Sequence, residues 1–157
     1  MTNHHIAQLN LARLLAPIDS PQLSDFVANL DRINALADDA PGFVWRLQTE
    51  EGDATGIDFF GPDQIANLSL WDSIEALHHY VYRTAHVEIL RRKQEWFHKA
   101  GAAYMVLWWV PAGHIPSLEE ASQKLDKLRE QGPTSEAFTF KKAFRAPEPG
   151  GGTSTDT

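Results

Sequence analysis

The chain predicts an α+β domain: a ferredoxin-like antiparallel sheet packed by helices on one face. Three observations carry this expectation. Segments of strand and helix character follow in the order β-α-β-β-α-β-(α)-β. The strand segments read polar on one side (Gln8, Asn10, Arg46, Gln48, Asn67, Ser69) and apolar on the other, so each sheet face has its own task. Finally, 157 residues with 43% hydrophobic and 22% charged side chains suit one compact domain with a sizeable core.

The elements are read in order along the chain. His5 to Leu11 (HIAQLNL) is strand-like. Asp19-Ser20-Pro21 then supplies an N-cap and a proline at a first helical position. In LSDFVANLDRINALA, Leu23, Phe26, Val27, Leu30, Ile33 and Ala37 recur at helical spacing until Pro41-Gly42 stops the helix. Phe43 to Gln48 alternates Phe, Trp, Leu against Val, Arg, Gln, the pattern of a two-faced strand. Glu50 to Gln64 is acidic and glycine-containing, a loop or loosely paired hairpin. Asn67 to Trp71 (NLSLW) is a short strand, after which Asp72 or Ser73 caps a helix from Ile74 to about Ala100, bent near Arg83-Thr84. Tyr104 to Val110 (YMVLWWV) is the strongest strand, rich in aromatic and β-branched residues, and is expected at the sheet centre. Ser117 with Glu120 forms a capping box opening a third helix that ends near Arg129, before Gly132-Pro133. Phe138 to Phe144 (FTFKKAF) reads as a last short strand. The domain thus spans residues 1–146, and 147–157 (PEPGGGTSTDT) form a tail with too little apolar surface to order itself.

Composition excludes several classes of function. A formal net charge of −7 argues against nucleic acid and anionic membranes as partners, since both reward dense Lys and Arg. The absence of cysteine removes disulfides, thiolate metal sites and cysteine nucleophiles. No stretch approaches the roughly 20 apolar residues of a membrane span, and no leader pattern opens the chain, so a cytoplasmic protein is expected. There is no phosphate-binding glycine loop, no G-x-S-x-G elbow and no H-E-x-x-H pair. His78-His79 and His4-His5 read as surface histidines, so no metal site is expected.

The stretch NLSLWDSIEALHHYVYRTAHVEILRRKQEWF, with HIAQLN before it and LWWVPAGHIPSLEEA after it, resembles the family called domain of unknown function 3291 over nearly the whole chain before the tail. More distantly it is similar to the dimeric α+β barrel superfamily, which includes antibiotic-biosynthesis and haem-degrading monooxygenases; the shared pattern is W-x-S-x-E-A-L entering a helix that carries a histidine. The two-faced strands and the aromatic-rich YMVLWWV run leave one sheet face to be covered, and the sheet of a twin subunit would cover it; the resemblance likewise implies a homodimeric α+β barrel and a hydrophobic small-molecule ligand. In haem-degrading members an Asn on the first strand, a Trp on the second helix and a His near that helix's end line the pocket. Asn10 matches the Asn and His86 the His, while Tyr80 stands where the Trp would be, a departure from the haem-degrading pattern.

At about 100° per residue, Tyr82, Ala85, His86, Ile89, Leu90, Lys93, Trp96 and Phe97 share one stripe, with Arg83 at its edge. A lone histidine there is better explained by a core ring satisfied by a backbone carbonyl than by a functional role. Three potential cations on one apolar stripe, however, fit a wet, aromatic-walled cavity. The candidate catalytic residues are therefore His86, Arg83 and Asn10, and the candidate substrate-binding residues Tyr80, Tyr82, Trp71, Lys93, Trp96 and His114, the last from the loop VPAGHIP. Two readings follow. One is a monooxygenase-like enzyme without a cofactor, in which His86 deprotonates an aromatic or polyketide-like substrate and Arg83 with Asn10 stabilises the anion. The other is a non-catalytic pocket for a hydrophobic molecule, or for haem with His86 as axial ligand.

Overall fold

The computed structural model of the chain describes residues 4–17, 19–47, 64–83, 91–98 and 105–146. Strands β1 (His4–Arg13), β2 (Phe43–Arg46), β3 (Gln64–Trp71) and β4 (Met105–Pro111) form one antiparallel sheet in the order β2-β3-β1-β4. The helices are α1 (Ser24–Asp38), α2 (Ile74–Arg83), the single turn α3 (Lys93–Trp96) and α4 (Leu118–Gln131). This is the expected ferredoxin-like α+β architecture. Among the described residues no helix is long and apolar enough to cross a membrane.

Strand alternation divides the core into two layers. Ala7, Leu9 and Leu11 point to one side with Leu68, Leu70, Val106 and Trp108, and there they meet Ala121, Leu125 and Leu128 of α4. Ile6, Trp71 and Leu107 point to the other side, against Ile33 and Ala37 of α1 and Leu77, Tyr80 and Val81 of α2. Helices therefore cover both faces. The expectation of helices on one face holds for α1 and α2 and is corrected for α4. The physical reason is that α4 carries its own apolar stripe at helical spacing, and the far face of the sheet is the apolar surface within its reach. The face that seemed to require a second subunit is thus closed within the chain. Trp108 and Trp109 fall on opposite faces as expected, Trp108 under α4 and Trp109 on the α1–α2 side.

Helix ends follow local chemistry. A 3-10 turn, Pro21–Leu23, with proline at its start leads into α1. Ser73 rather than Asp72 caps α2, its Oγ accepting from the Ala76 amide at 3.0 Å. Gly42, at φ +86°, makes the turn from α1 into β2, and its carbonyl accepts from the Asp72 amide at 2.7 Å. A Cβ at this position would lie 2.5 Å from the Cβ of Ala76, so glycine is required for space as well as for conformation. In α4 the Ser117 Oγ accepts from the Glu120 amide at 3.0 Å, the first half of the expected capping box. The second half is absent because the Glu120 carboxylate is engaged elsewhere, as described below.

Four other expectations are corrected. β4 lies at the sheet edge, not the centre. Its apolar character reflects cover on both faces, and its outer edge is occupied by Phe138, which exchanges backbone hydrogen bonds with Leu107 at 2.8 and 2.9 Å. Beyond that bridge, Thr139 to Phe144 is irregular rather than a strand, because Phe138 and Phe144 turn inward onto the α1–α2 layer. The helix expected to run to about Ala100 has already ended at Phe97, which forms an antiparallel bridge with Leu14. β3 begins at Gln64, earlier than Asn67. The 50–64 stretch up to Asp63 and the 147–157 tail lie outside the described residues.

Candidate functional site

On the side of β1 that faces α1 and α2, Ile6 is followed by Gln8 and Asn10 where further apolar residues would continue the core. Across the register their partners in β3 are Trp71, Ser69 and Asn67, so a polar row runs across two strands. Gln8 and Ser69 are buried and satisfied. The Gln8 amide donates to Asn67 Oδ1 at 2.8 Å and to Ser69 Oγ at 2.9 Å, and the Trp71 indole N–H donates to the same hydroxyl oxygen at 2.9 Å. With the Gln8 amide and the Trp71 indole N–H both matched, these side chains hold one another in place.

Arg46 reaches this row through an irregularity. Phe43 pairs with Trp71 and Arg46 with Ser69, with a register shift between Phe43 and Trp45. Strict alternation would put Phe43 and Arg46 on opposite faces; the bulge puts both on the helix side. Asp38, at the end of α1, takes the guanidinium in a two-pronged bond, Nε to Oδ1 at 2.8 Å and Nη2 to Oδ2 at 3.3 Å.

Between this floor and the helices lies a cavity of about 40 Å³ lined by Gln8, Asn10, Asn67, Arg46, Trp71 and Tyr80, with Asn34, Leu77, Met105 and others completing the wall. It has room for a few waters or the polar tip of a ligand, not for a whole drug-sized molecule. Tyr80 stacks on Trp71 with centroids 5.1 Å apart and donates its hydroxyl to the Ile33 carbonyl at 3.1 Å. Burial raises the Tyr80 phenol above its usual range; Arg46 partly opposes the rise and Asp38 adds to it.

Of the residues singled out from the sequence, Asn10, Trp71 and Tyr80 come together here. His86 lies outside the described residues, as do the side chains of Arg83 and Lys93. Three others are elsewhere. Tyr82 is 45% exposed and packs on His78 and Phe140 at the surface, because α2 buries Leu77, Tyr80 and Val81. Trp96 is buried in a separate cluster with Leu14, Leu23 and Phe26, beneath the guanidinium of Arg92 at 4.7 Å. His114 is exposed on the way into α4, bound through Nε2 to Glu120 Oε1 at 2.7 Å, while the Trp108 indole N–H donates to Glu120 Oε2 at 2.9 Å. That group belongs to the α4 side of the sheet, opposite the cavity. His78 and His79 are exposed as expected, and among the described residues no His, Asp and Glu group is arranged to hold a metal ion.

Sequence reasoning missed Gln8, Asn67, Ser69 and Arg46 as site residues. The signal was their shared polar side of the strands, which became decisive only when that side proved to face the cavity under α1 and α2.

The fold and cavity define a class: a ferredoxin-like α+β protein with a polar-floored recess between its sheet and the α1–α2 layer. The chain belongs to the family described as domain of unknown function DUF3291, whose model matches residues 5–151. A comparison with curated protein sequences gave no match. Among solved structures, the NE2512 protein of unknown function from Nitrosomonas europaea is 13% identical, with TM-score 0.45, over 73% of this chain and 97% of that one. SnoaB, a cofactor-independent oxygenase from Streptomyces nogalater, is 13% identical, with TM-score 0.43, also over 73% of this chain and 97% of its own. Likeness at this level says nothing about substrate or chemistry.

Proposed function

We propose that the protein binds a flat aromatic or polyketide-like molecule by an oxygen substituent seated in the cavity, and oxidises it as a monooxygenase-like enzyme without a cofactor. The observation that carries this reading is the row Gln8, Asn10, Asn67 and Ser69 on the side of the sheet facing α1 and α2. Hydrophobic packing alone would favour apolar side chains there, whereas a ligand oxygen requires hydrogen-bonding groups held in fixed positions. The cavity encloses only the polar tip, and the rings of the ligand extend from its mouth.

In this reading His86 takes a proton from an acidic ring CH2 group flanked by phenol or carbonyl, and Asn10 with Arg83 stabilises the anion. The anion reduces dioxygen to a hydroperoxide on that carbon. Loss of water then leaves a carbonyl, with one oxygen atom in the product and the other in water. Haem does not fit the described residues: a cavity of about 40 Å³ with Trp71 and Tyr80 in its wall cannot take a macrocycle. Homodimerisation, which the resemblance implies, belongs to the same reading through a surface other than the sheet face that α4 covers; sedimentation giving a monomer at micromolar concentration would remove it.

The test is dioxygen uptake by purified protein against hydroxylated naphthalenes and anthrones, with product mass spectrometry. Turnover by wild type that is lost in His86→Ala and Asn10→Ala supports the proposal. Tight binding without oxygen uptake leaves a binding protein, and neither binding nor uptake removes the pocket reading altogether.

A further inference from the structure

We infer that the cavity receives its ligand as an oxyanion, a phenolate or carboxylate, and that Arg46 is the residue that selects it. The inference rests on the pocket reading above and adds the charge state of what is bound.

The first observation is composition. The described lining carries one guanidinium and no carboxylate, and its other polar groups are amides, a serine hydroxyl, the Trp71 indole and the Tyr80 phenol. Asn67 has committed its side-chain oxygen to Gln8, so its NH2 group is the end left to face a ligand. Tyr80 keeps its proton, its phenol raised chiefly by burial, so it adds no negative charge to the recess.

The second is the bulge in β2. It turns Arg46 from the face that alternation would assign onto the cavity side, opposite Ser69, and bulges recur where a strand must re-aim a functional side chain. The third is the asymmetry of its ion pair. The Arg46 side chain is 13% exposed and that of Asp38 46%, so the carboxylate stands on the solvent side and is screened by water, while the guanidinium lies among protein groups. The positive end of the pair therefore points inward, and the two-pronged bond holds the guanidinium plane in place. With a net charge of −7 over the chain, no general attraction draws anions to this protein, so selection must come from such a local group.

The test uses two ligands of one shape at about pH 8.5 and low salt: 4-nitrophenolate, an anion, and neutral 4-nitroaniline, each titrated calorimetrically into the whole protein. Wild type should favour the anion at least about tenfold, the preference shrinking as salt is raised. Arg46→Gln should erase the preference while retaining nitroaniline affinity, and Arg46→Lys should keep a reduced preference. Circular dichroism checks that the variants fold; if Arg46→Gln does not, the salt-dependent preference of wild type and the Lys variant still decide. Equal affinity for the two ligands in wild type, or an undiminished preference in folded Arg46→Gln, overturns the inference and leaves the pocket reading standing. Binding of neither ligand to folded wild type overturns both.

Discussion

Replacing Tyr80 by Phe removes one hydroxyl, the donor to the Ile33 carbonyl at 3.1 Å, and leaves the ring free to stay on Trp71. At neutral pH the loss of this buried hydrogen bond should cost about 1 kcal/mol. In alkali the sign reverses. An unfolded tyrosine gives up its proton above about pH 10, whereas folded Tyr80, its phenol raised chiefly by burial, keeps it. Above that pH the unfolded state binds fewer protons than the native state, so the Tyr80 contribution falls by about 1.4 kcal/mol per pH unit. The hydroxyl that stabilises at pH 7 therefore destabilises in strong alkali, and the stability curves of wild type and Tyr80→Phe should cross near about pH 10.7, where the two effects cancel. By about pH 11.5 the variant should be the more stable by about 1 kcal/mol. The remaining tyrosines and the lysines titrate in both proteins and cancel in the difference. Urea denaturation followed by tryptophan fluorescence, repeated from neutral pH to about pH 11.5, measures the difference directly. Curves that stay parallel throughout would mean that the Tyr80 phenol ionises as easily folded as unfolded, and the burial argument would be refuted.

Gly42→Ala should destabilise by roughly 3 kcal/mol or more, since the new methyl is both forced into a positive-φ position and driven against Ala76; adding Ala76→Gly should recover the clash but not the backbone strain, as read by urea midpoints. Leu125→Ala, under the sheet on the α4 side, should cost about 2–5 kcal/mol and leave the affinity of the cavity for 4-nitrophenolate unchanged; a matching loss of affinity would show that the two faces are coupled. On the proposed reading, in which His86 is the base of a polar site that water can refill, His86→Ala should cost less than about 1.5 kcal/mol and should abolish turnover. A large stability loss with turnover intact would make His86 a core residue.

Much of the fold could be read from local pattern. The order of elements up to the third main helix, the proline-led start of α1 and the serine-capped start of α4 all depend on neighbours in sequence, and these are present. What could not be read depends on partners distant in sequence. YMVLWWV has the composition of a central strand, yet β4 earns that composition at the edge, with α4 on one face, aromatic residues of the C-terminal segment on the other and Phe138 along its outer side. Ser117 and Glu120 have capping-box spacing, but the carboxylate finds better partners in His114 and Trp108. For the site, Asn10, Trp71 and Tyr80 emerged from pattern and resemblance. Tyr82 and Trp96 did not join them, because α2 buries Leu77, Tyr80 and Val81 and leaves Tyr82 outside, while Trp96 packs with Leu14, Leu23 and Phe26 in a cluster of its own. The bulge that brings Arg46 beside Ser69 leaves no mark in a four-residue strand, since one inserted position cannot be told from ordinary alternation over so short a run.

The seating of α4 has a consequence for how this sheet responds to dilution. A sheet face closed by another molecule is protected only by mass action, and its melting point falls as the protein is thinned. Here the cover is tethered to β4 by the few residues from Ala112 to Ser117, so its effective concentration is set by the length of that connection and not by how much protein is in the tube. The apolar half of the sheet should therefore stay shielded at nanomolar concentration as well as at millimolar. A chain of this kind can be expressed scarcely, or fused to an unrelated partner, without exposing an adhesive surface.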